Sequence, residues 1–132
     1  MISPSAPDDH WDVIEGQGSL YHPGFAGVTL GLLHGSQPDV FVVCHDPMRR
    51  EIVGLPGLPV PSLEALIDLT LTLGRRVNPG IRCGGISLNT SALSQSEAAA
   101  AIAGTSEALV LPAADPVRGG AAFHRLVDSC LG

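Results

Sequence analysis

The sequence predicts an α/β fold: a parallel sheet of about four strands in repeated βα units, with helices on both faces. Three observations favour it. Short apolar runs alternate along the chain with longer helical stretches, which is typical of βαβ units. Charged residues make up 15% of the chain against 45% hydrophobic residues, which indicates a sheet buried on both faces or a surface covered by another subunit. The length of 132 residues allows a single domain.

The first βα unit is predicted to follow a flexible lead-in, residues 1–10, so that the α/β domain spans residues 11–132. Residues 11–15 (Trp-Asp-Val-Ile-Glu) form the first apolar run and are predicted as a strand, which ends at a glycine-rich turn. The helix that follows is predicted over about residues 27–34.

The second unit contains the clearest strand. Residues 40–44 are a continuous apolar run rich in β-branched side chains, which indicates a strand covered on both faces. A segment rich in Pro and Gly then leads to Ser62, a predicted N-cap, and to a helix over residues 63–73.

The last two units follow the same order. Ser94 and Glu97 have the spacing of a capping box, which marks the start of an Ala-rich helix. The predicted elements are a strand over about residues 83–88, a helix over 97–103 closed by Gly104, a strand over 108–112 and a helix over 121–131.

Composition excludes several chemistries. The chain has seven Arg and no Lys, so it offers no Walker-type lysine, no Schiff base and no lysine-rich nucleic-acid surface. The net charge of −6 also argues against a nucleic-acid partner. The apolar stretches are too short to span a membrane, the amino terminus does not resemble a signal peptide, and three widely spaced cysteines indicate reduced thiols. We therefore predict a cytoplasmic protein without membrane contact.

Candidate site residues follow the predicted strands, because ligands of parallel sheets bind outside the carboxyl ends of the strands. Each Asp, Asn or Gly among them also suits a plain turn or cap, which is the commoner role. The candidates are Glu15, Gly16, Gln17, Gly18, Ser19, His22, His45, Asp46, Asn89, Thr90, Asp115 and Arg118.

Two candidates allow more specific readings. No turn requires Glu at position 15, so Glu15 could hold a magnesium ion or a water, or act as a general base. Arg118 precedes the last predicted helix and either receives a carboxylate or phosphate there, or pairs with Asp115 to fix the turn.

The sequence predicts no metal site. His22, His45 and Asp46 are residue types that bind zinc, but they lack the closely spaced pairs of a structural zinc site. Hydrogen bonds from the histidine rings to the strand-end loops are the simpler role.

Four segments carry a family resemblance: WDVIEGQGSLYHP at residues 11–23, GVTLGLLHG at 27–35, SLNTSAL at 87–93 and DPVR at 115–118. From about Trp11 to its end the chain resembles the C-terminal domain of the family called domain of unknown function 1611. Members of that family join an N-terminal Rossmann-like domain to a domain similar to P-loop NTPases. Some are described as N-acetyltransferases that act on D-glutamate and related D-amino acids with acetyl-CoA.

The resemblance implies a function and roles for individual residues. The chain is expected to be a truncated or partial domain of a D-glutamate N-acetyltransferase-like protein, with acetyl-CoA as donor. Glu15 resembles the acidic residue of a conserved strand, Asn89 resembles a base-contacting Asn, and Glu15 or His22 would act as the base of acyl transfer. The family's phosphate-binding loop lies upstream of the matched segments, so we expect no independent ATPase activity, whether the chain is a natural short form or a fragment.

Two other functions remain open. The low charge favours a non-catalytic module that binds a small anion and assembles with itself as a dimer or larger homo-oligomer. A metal hydrolase would use Glu15, His22, His45 and Asp46.

Overall fold

Helices and parallel strands alternate along the chain in the computed structural model, which describes residues 5–7 and 9–132. The strands form one sheet in the order β1-β2-β3, and both neighbouring pairs are parallel. The α/β class is thereby confirmed, although the described residues form three strands where about four were expected. The elements are α1 (Ala26–Ser36), β1 (Val40–His45), α2 (Leu63–Gly74), β2 (Arg82–Leu88), α3 (Gln95–Leu109), β3 (Ala113–Ala114) and α4 (Gly120–Leu131).

The predicted first strand, residues 11–15, is not a strand. This segment has no regular secondary structure, and Trp11, Val13 and Ile14 are exposed, Val13 to 95%. A strand needs a neighbour that accepts and donates its backbone hydrogen bonds, and none of the three described strands pairs with this segment. Of the predicted lead-in, residues 1–4 and 8 lie outside the described residues.

The hydrophobic core lies between one face of the sheet and helices α2 and α3. Alternate residues of a strand point to the same face, so β1 and β2 contribute their β-branched and leucine side chains together. Ile86 is fully buried, and burial of a side chain of this size stabilises a fold by about 1.5–3 kcal/mol. The buried cluster consists of Val43, Ile67, Ile86, Leu88 and Ala113.

Helix α4 packs against the other face of β2 and β3, where two glycines allow a close approach. A Cβ on Gly84 would lie 2.7 Å from Cys130 Sγ, and a Cβ on Gly85 would lie 2.5 Å from Leu126 Cδ1. Arg82 Nη2 donates to the Cys130 carbonyl at 3.0 Å and so satisfies a carbonyl of the last helical turn. The sheet therefore carries helices on both faces, as the sequence predicts.

A β-bulge turns both glycines toward α4. Phe41 pairs with Cys83 and Val42 pairs with Gly85, so Gly84 has no partner in the ladder. The extra residue shifts the alternation by one position, which places Gly84 and Gly85 on the same face.

The outer part of β1 is less covered than its sequence indicates. Val42 is 38% exposed and Cys44 is also exposed, because α4 contacts β2 and β3 but covers little of β1 on this face. The expectation that residues 40–44 are covered on both faces is therefore wrong for this face of the strand.

Side-chain caps start α2 and α3 where the sequence predicts them. The Ser62 hydroxyl accepts from the Ala65 N–H at 3.1 Å. Ser94 and Glu97 form the complete capping box: the Glu97 N–H donates to Ser94 Oγ at 3.4 Å and the Ser94 N–H donates to Glu97 Oε2 at 2.9 Å. The Ser94 hydroxyl and N–H together hold the pKa of Glu97 below its ordinary value.

The second half of α3 differs from the prediction. Gly104 does not end the helix, which continues to Leu109 and stops where Val110 takes a left-handed conformation. The predicted strand over residues 108–112 therefore begins as helix, and β3 is the short pair Ala113–Ala114. A short apolar run suits a helix end as well as a strand, and an exposed glycine weakens a helix by only about 1 kcal/mol.

Within the described part of the chain, no helix combines the length and the hydropathy needed to cross a bilayer.

Candidate functional site

An open pocket lies at the carboxyl edge of the sheet, with a volume of about 610 Å³. Three chain segments form it: the end of β1 with the loop after it, the end of β2 with the loop after it, and the turn between β3 and α4. This is the edge at which parallel sheets bind their ligands. Its lining residues are Cys44, His45, Asp46, Arg49, Ser87, Leu88, Asn89, Ser91, Asp115, Pro116, Val117 and Arg118.

Apart from Thr90, which is fully buried and does not line the pocket, the candidates that the sequence predicts fall into two groups. Five of them line this pocket although they lie on three separate loops: His45, Asp46, Asn89, Asp115 and Arg118. The other group precedes α1 and contributes nothing to the pocket lining: Glu15, Gly16, Gln17, Gly18, Ser19 and His22.

The segment before α1 is held by contacts to that helix. The Gln17 carbonyl accepts a hydrogen bond from the Thr29 hydroxyl, and His22 Nδ1 accepts from the Gly24 N–H at 3.0 Å. The His22 ring also lies 4.6 Å from the Phe25 ring. Glu15 is exposed and follows no strand, so its predicted position at a strand tip is wrong.

Asp115 is buried, and both of its carboxylate oxygens accept hydrogen bonds. Oδ2 accepts from the Thr90 N–H at 3.0 Å and from the Thr90 hydroxyl, while Oδ1 accepts from the N–H groups of Val117 at 2.9 Å and Arg118 at 3.3 Å. Burial alone raises the pKa of this carboxyl, but the four hydrogen bonds outweigh it and hold the pKa below its ordinary value. Asp115 is therefore an ionised anchor whose acceptor sites are already used.

Arg118 is occupied in the same cluster. Its Nε donates to the Thr90 hydroxyl at 2.7 Å, Nη1 donates to Gln95 Oε1 at 2.9 Å, and Nη2 donates to the carbonyls of Thr90 at 3.0 Å and Leu93 at 2.7 Å. The Nε atom lies 3.7 Å from Asp115 Oδ2. Four of the five guanidinium N–H groups are thus satisfied, so of the two predicted roles the structural one fits.

Arg49 is a pocket-lining cation whose guanidinium can donate hydrogen bonds to a ligand. It is not among the candidates that the sequence predicts. Its Nη2 lies 3.5 Å from Asp46 Oδ2, and 49% of its side chain is exposed. An exposed ion pair of this length holds its partners weakly. The sequence feature that identifies Arg49 as a candidate is its position three residues after Asp46, on a loop at the ligand-binding edge of the sheet.

Asn89 turns the loop after β2 and leaves its amide group available. Its Oδ1 accepts from the Ser91 N–H at 3.2 Å, and its own N–H donates to the His45 carbonyl at 2.8 Å. The described residues provide no acceptor for the Asn89 side-chain NH₂, and Asn89 lines the pocket together with Arg49. Together they present hydrogen-bond donors suited to a carboxylate.

His45 is half-buried at the end of β1. Its ring nitrogens make no hydrogen bond to the described part of the protein and neither is buried, and the residue lines the pocket. Burial lowers the pKa of the ring, Asp46 opposes that shift, and Arg49 adds to it, for a net lowering. His45 is accordingly a neutral ring at pH 7, with the lone pair of one ring nitrogen able to accept a hydrogen bond.

No group of three or more His, Cys, Asp or Glu side chains in residues 5–7 and 9–132 is arranged to hold a metal ion. The four residues of the metal-hydrolase hypothesis are split between the two groups described above, with His45 and Asp46 in the pocket. That hypothesis has no geometric support.

Comparison with known proteins gives consistent results. A family model described as "Domain of unknown function (DUF1611_C) P-loop domain" matches residues 1–127. A protein named D-glutamate N-acetyltransferase from Tritonibacter scottomollicae is 48% identical over 128 residues, which are 97% of this chain and 38% of the relative. Another of the same name from a Pseudoalteromonas species is 46% identical over 119 residues, 90% of this chain and 36% of the relative.

A solved structure agrees with the sequence matches. The crystal structure of a DUF1611 family protein from Anabaena variabilis superposes with a TM-score of 0.80 at 36% identity, over 89% of this chain and 34% of that one. The chain therefore spans between about a third and two fifths of the length of the relatives it matches.

Proposed function

The chain belongs to the DUF1611 family, and from that membership together with the pocket at the sheet edge we propose that it supplies part of the substrate site of an N-acetyltransferase acting on D-glutamate or a related D-amino acid. The observation that carries the proposal is the set of unused polar groups in one open pocket. Arg49, Asn89 and His45 line it, while Asp115 and Arg118 are committed to the structure around it.

The pocket chemistry suits an amino acid with a negatively charged side chain. Arg49 and the Asn89 amide donate hydrogen bonds, which a carboxylate accepts best when the donor is charged. Asp46 and the neutral His45 ring lie beside them and can accept hydrogen bonds from an ammonium group. A dicarboxylic amino acid such as glutamate presents both kinds of group.

The relatives support the reaction class. Both are named D-glutamate N-acetyltransferase and match nearly the whole of this chain. The transferred acetyl group would come from an acetyl thioester such as acetyl-CoA, the donor that the family resemblance implies.

Binding measurements on the purified 132-residue chain test this proposal. D-glutamate and N-acetyl-D-glutamate are titrated by calorimetry into the wild type, the Arg49→Gln variant and the Arg50→Gln variant. Arg50 is the matched control, because it is the adjacent exposed arginine and does not line the pocket. We expect Arg49→Gln to weaken binding roughly tenfold to a hundredfold, the usual effect of losing a hydrogen bond to a charged group. Equal affinities for the two variants would contradict the assignment of the pocket.

The same titrations separate the enzyme from the alternative, a module that binds a small anion. Binding that depends on Arg49 without any acetyl transfer to D-glutamate in the presence of acetyl-CoA would favour the module. Turnover with acetyl-CoA and D-glutamate would support the acetyltransferase.

A further inference from the structure

His45 has an unusual place among the groups that line the pocket. It is half-buried at the carboxyl end of a core strand, its backbone carbonyl is fixed by the Asn89 N–H at 2.8 Å, and its ring nitrogens have no hydrogen-bond partner in the described part of the chain. Strand β1 fixes the backbone position of His45, and the surrounding loops make no hydrogen bond to its ring nitrogens. Both properties are those of a group positioned for a ligand.

The other groups around His45 are less suited to accept a proton. Asp46 already accepts from the Met48 N–H at 3.0 Å and lies beside Arg49, and Asp115 uses both oxygens on Thr90, Val117 and Arg118. The pocket-lining residues of β2 and the loop after it add no ionisable side chain. The titratable and charged groups that line the pocket beside His45 are Cys44, Asp46, Arg49, Asp115 and Arg118.

We propose that His45 is the general base of the acetyl transfer, and that its ring accepts a proton from the amino group of the acceptor amino acid. The inference rests on the proposed function and adds a specific catalytic residue to it. It replaces Glu15 and His22, the residues that the sequence predicts for this role, because neither lines the pocket.

The chemistry of the step is balanced. The acceptor arrives as an ammonium ion and gives one proton to the His45 ring, which frees the nitrogen lone pair. That lone pair forms a bond to the thioester carbonyl carbon, and the carbon–sulfur bond breaks with its electrons on sulfur. Of the three ammonium protons, one is on His45, one ends on the thiol sulfur and one stays on the new amide nitrogen. His45 then releases its proton to water.

The environment of the ring supports this role. Burial and the nearby Arg49 lower the pKa of His45, while Asp46 limits the shift. The ring is therefore neutral at pH 7, which is the form that takes up a proton.

The test is the pH dependence of acetyl transfer by the wild type, His45→Gln and His124→Gln. His124 is the control, since it is exposed on α4 and does not line the pocket. In the wild type we expect kcat/KM to fall at low pH with an inflection below 6.5, besides the inflection of the substrate amine at higher pH. His45→Gln is expected to lower kcat a hundredfold or more with little change in KM and to remove the lower inflection. Added imidazole should restore part of the activity of His45→Ala.

Each outcome is informative. If the wild type binds D-glutamate through Arg49 but transfers no acetyl group, the binding module is favoured over the acetyltransferase and the role of His45 is overturned; loss of Arg49-dependent binding would instead overturn the proposed function itself. If the wild type turns over and His45→Gln keeps both its rate and its lower inflection, only the role of His45 is overturned. Should the variants not fold, an NMR titration of the wild-type ring replaces them: a His45 pKa equal to the kinetic inflection supports the proposal, and a different value overturns it.

Discussion

Asp115 joins two loops that reach the carboxyl edge of the sheet from different strands. Its carboxylate accepts from the backbone and hydroxyl of Thr90 after β2, and from two N–H groups at the start of its own turn before α4. Arg118 then donates to the same Thr90 hydroxyl and to the Thr90 carbonyl. Three side chains that look like a ligand site in the sequence thus hold the pocket wall in place.

Replacement of Asp115 should reveal this role as a pH-dependent loss of stability. Asp115→Asn is expected to lower the free energy of unfolding by about 2–3 kcal/mol at pH 7, because buried donors lose a charged acceptor. The pKa of Asp115 is lowered in the folded protein, so its ionised form stabilises the fold above the unfolded-state pKa of about 3.9, and this contribution is lost as the pH falls through the folded-state value. The difference between wild type and variant should therefore shrink at pH 3, which urea unfolding at both pH values measures.

The control for this prediction is Asp68→Asn. Asp68 is exposed on α2 and should change stability little at either pH. A loss for Asp115→Asn that is equally large at pH 3 and pH 7 would show that the carboxylate charge is not what holds the turn.

At the residue scale the sequence predicts which of these strand-end side chains share the pocket, but not which of them keep hydrogen-bonding groups without a partner. His45, Asp46, Asn89, Asp115 and Arg118 all follow predicted strands, and the strand-end rule brings them to one pocket. The sequence does not predict the hydrogen-bond partners of Arg118, because these partners lie 23 to 28 positions away in the chain. Sequence reasoning therefore left the role of Arg118 open and missed Arg49.

At the scale of elements, the approach of α4 to the sheet depends on Gly84 and Gly85, and Gly85 is the more constrained of the two. Gly85 has φ +148°, and a Cβ there would clash with the Pro112 carbonyl oxygen and lie 2.5 Å from Leu126 Cδ1. The first of these contacts is with backbone, which cannot move aside as a flexible side chain can. The bulge and the packing of α4 both require this residue.

Gly85→Ala is accordingly expected to destabilise the fold by roughly 2–4 kcal/mol, through overpacking and an unfavourable φ. Gly31→Ala is the matched control, because Gly31 lies inside α1 with nothing near its missing Cβ. That change should stabilise the protein by about 0.5–1 kcal/mol. Thermal unfolding of both variants checks the pair, and equal melting temperatures would contradict the packing argument.

The elements that the sequence predicts well are those with a local cause. Ser62 and the Ser94–Glu97 box start their helices through contacts within one turn. Residues 11–15 carry three apolar side chains but form no strand, since strand pairing depends on a neighbour that their own sequence does not specify. The sequence predicts the end of α3 at Gly104 instead of Leu109, because the apolar run over residues 108–112 fits helix and strand alike.

The whole molecule leaves apolar surface exposed on the side of β1. The outer edge of β1 is unpaired by any described strand, and Val42 and Cys44 are exposed on one of its faces. An unpaired strand edge and exposed apolar side chains both favour association with another chain. The low fraction of charged residues supports the same expectation. We propose that the chain forms a homo-oligomer through the side of β1.

Self-association can be measured by light scattering of the purified chain over micromolar concentrations, where we expect a dimer or larger species. Val42→Lys should shift the distribution toward monomer, because a charge on an edge strand opposes strand addition. Val110→Lys is the control: Val110 is 88% exposed at the end of α3, which packs on β3 at the opposite edge of the sheet, so this variant should associate like the wild type. A monodisperse wild-type monomer would refute self-association. Equal weakening by both variants would instead show that charge in general, and not the β1 side, governs the assembly.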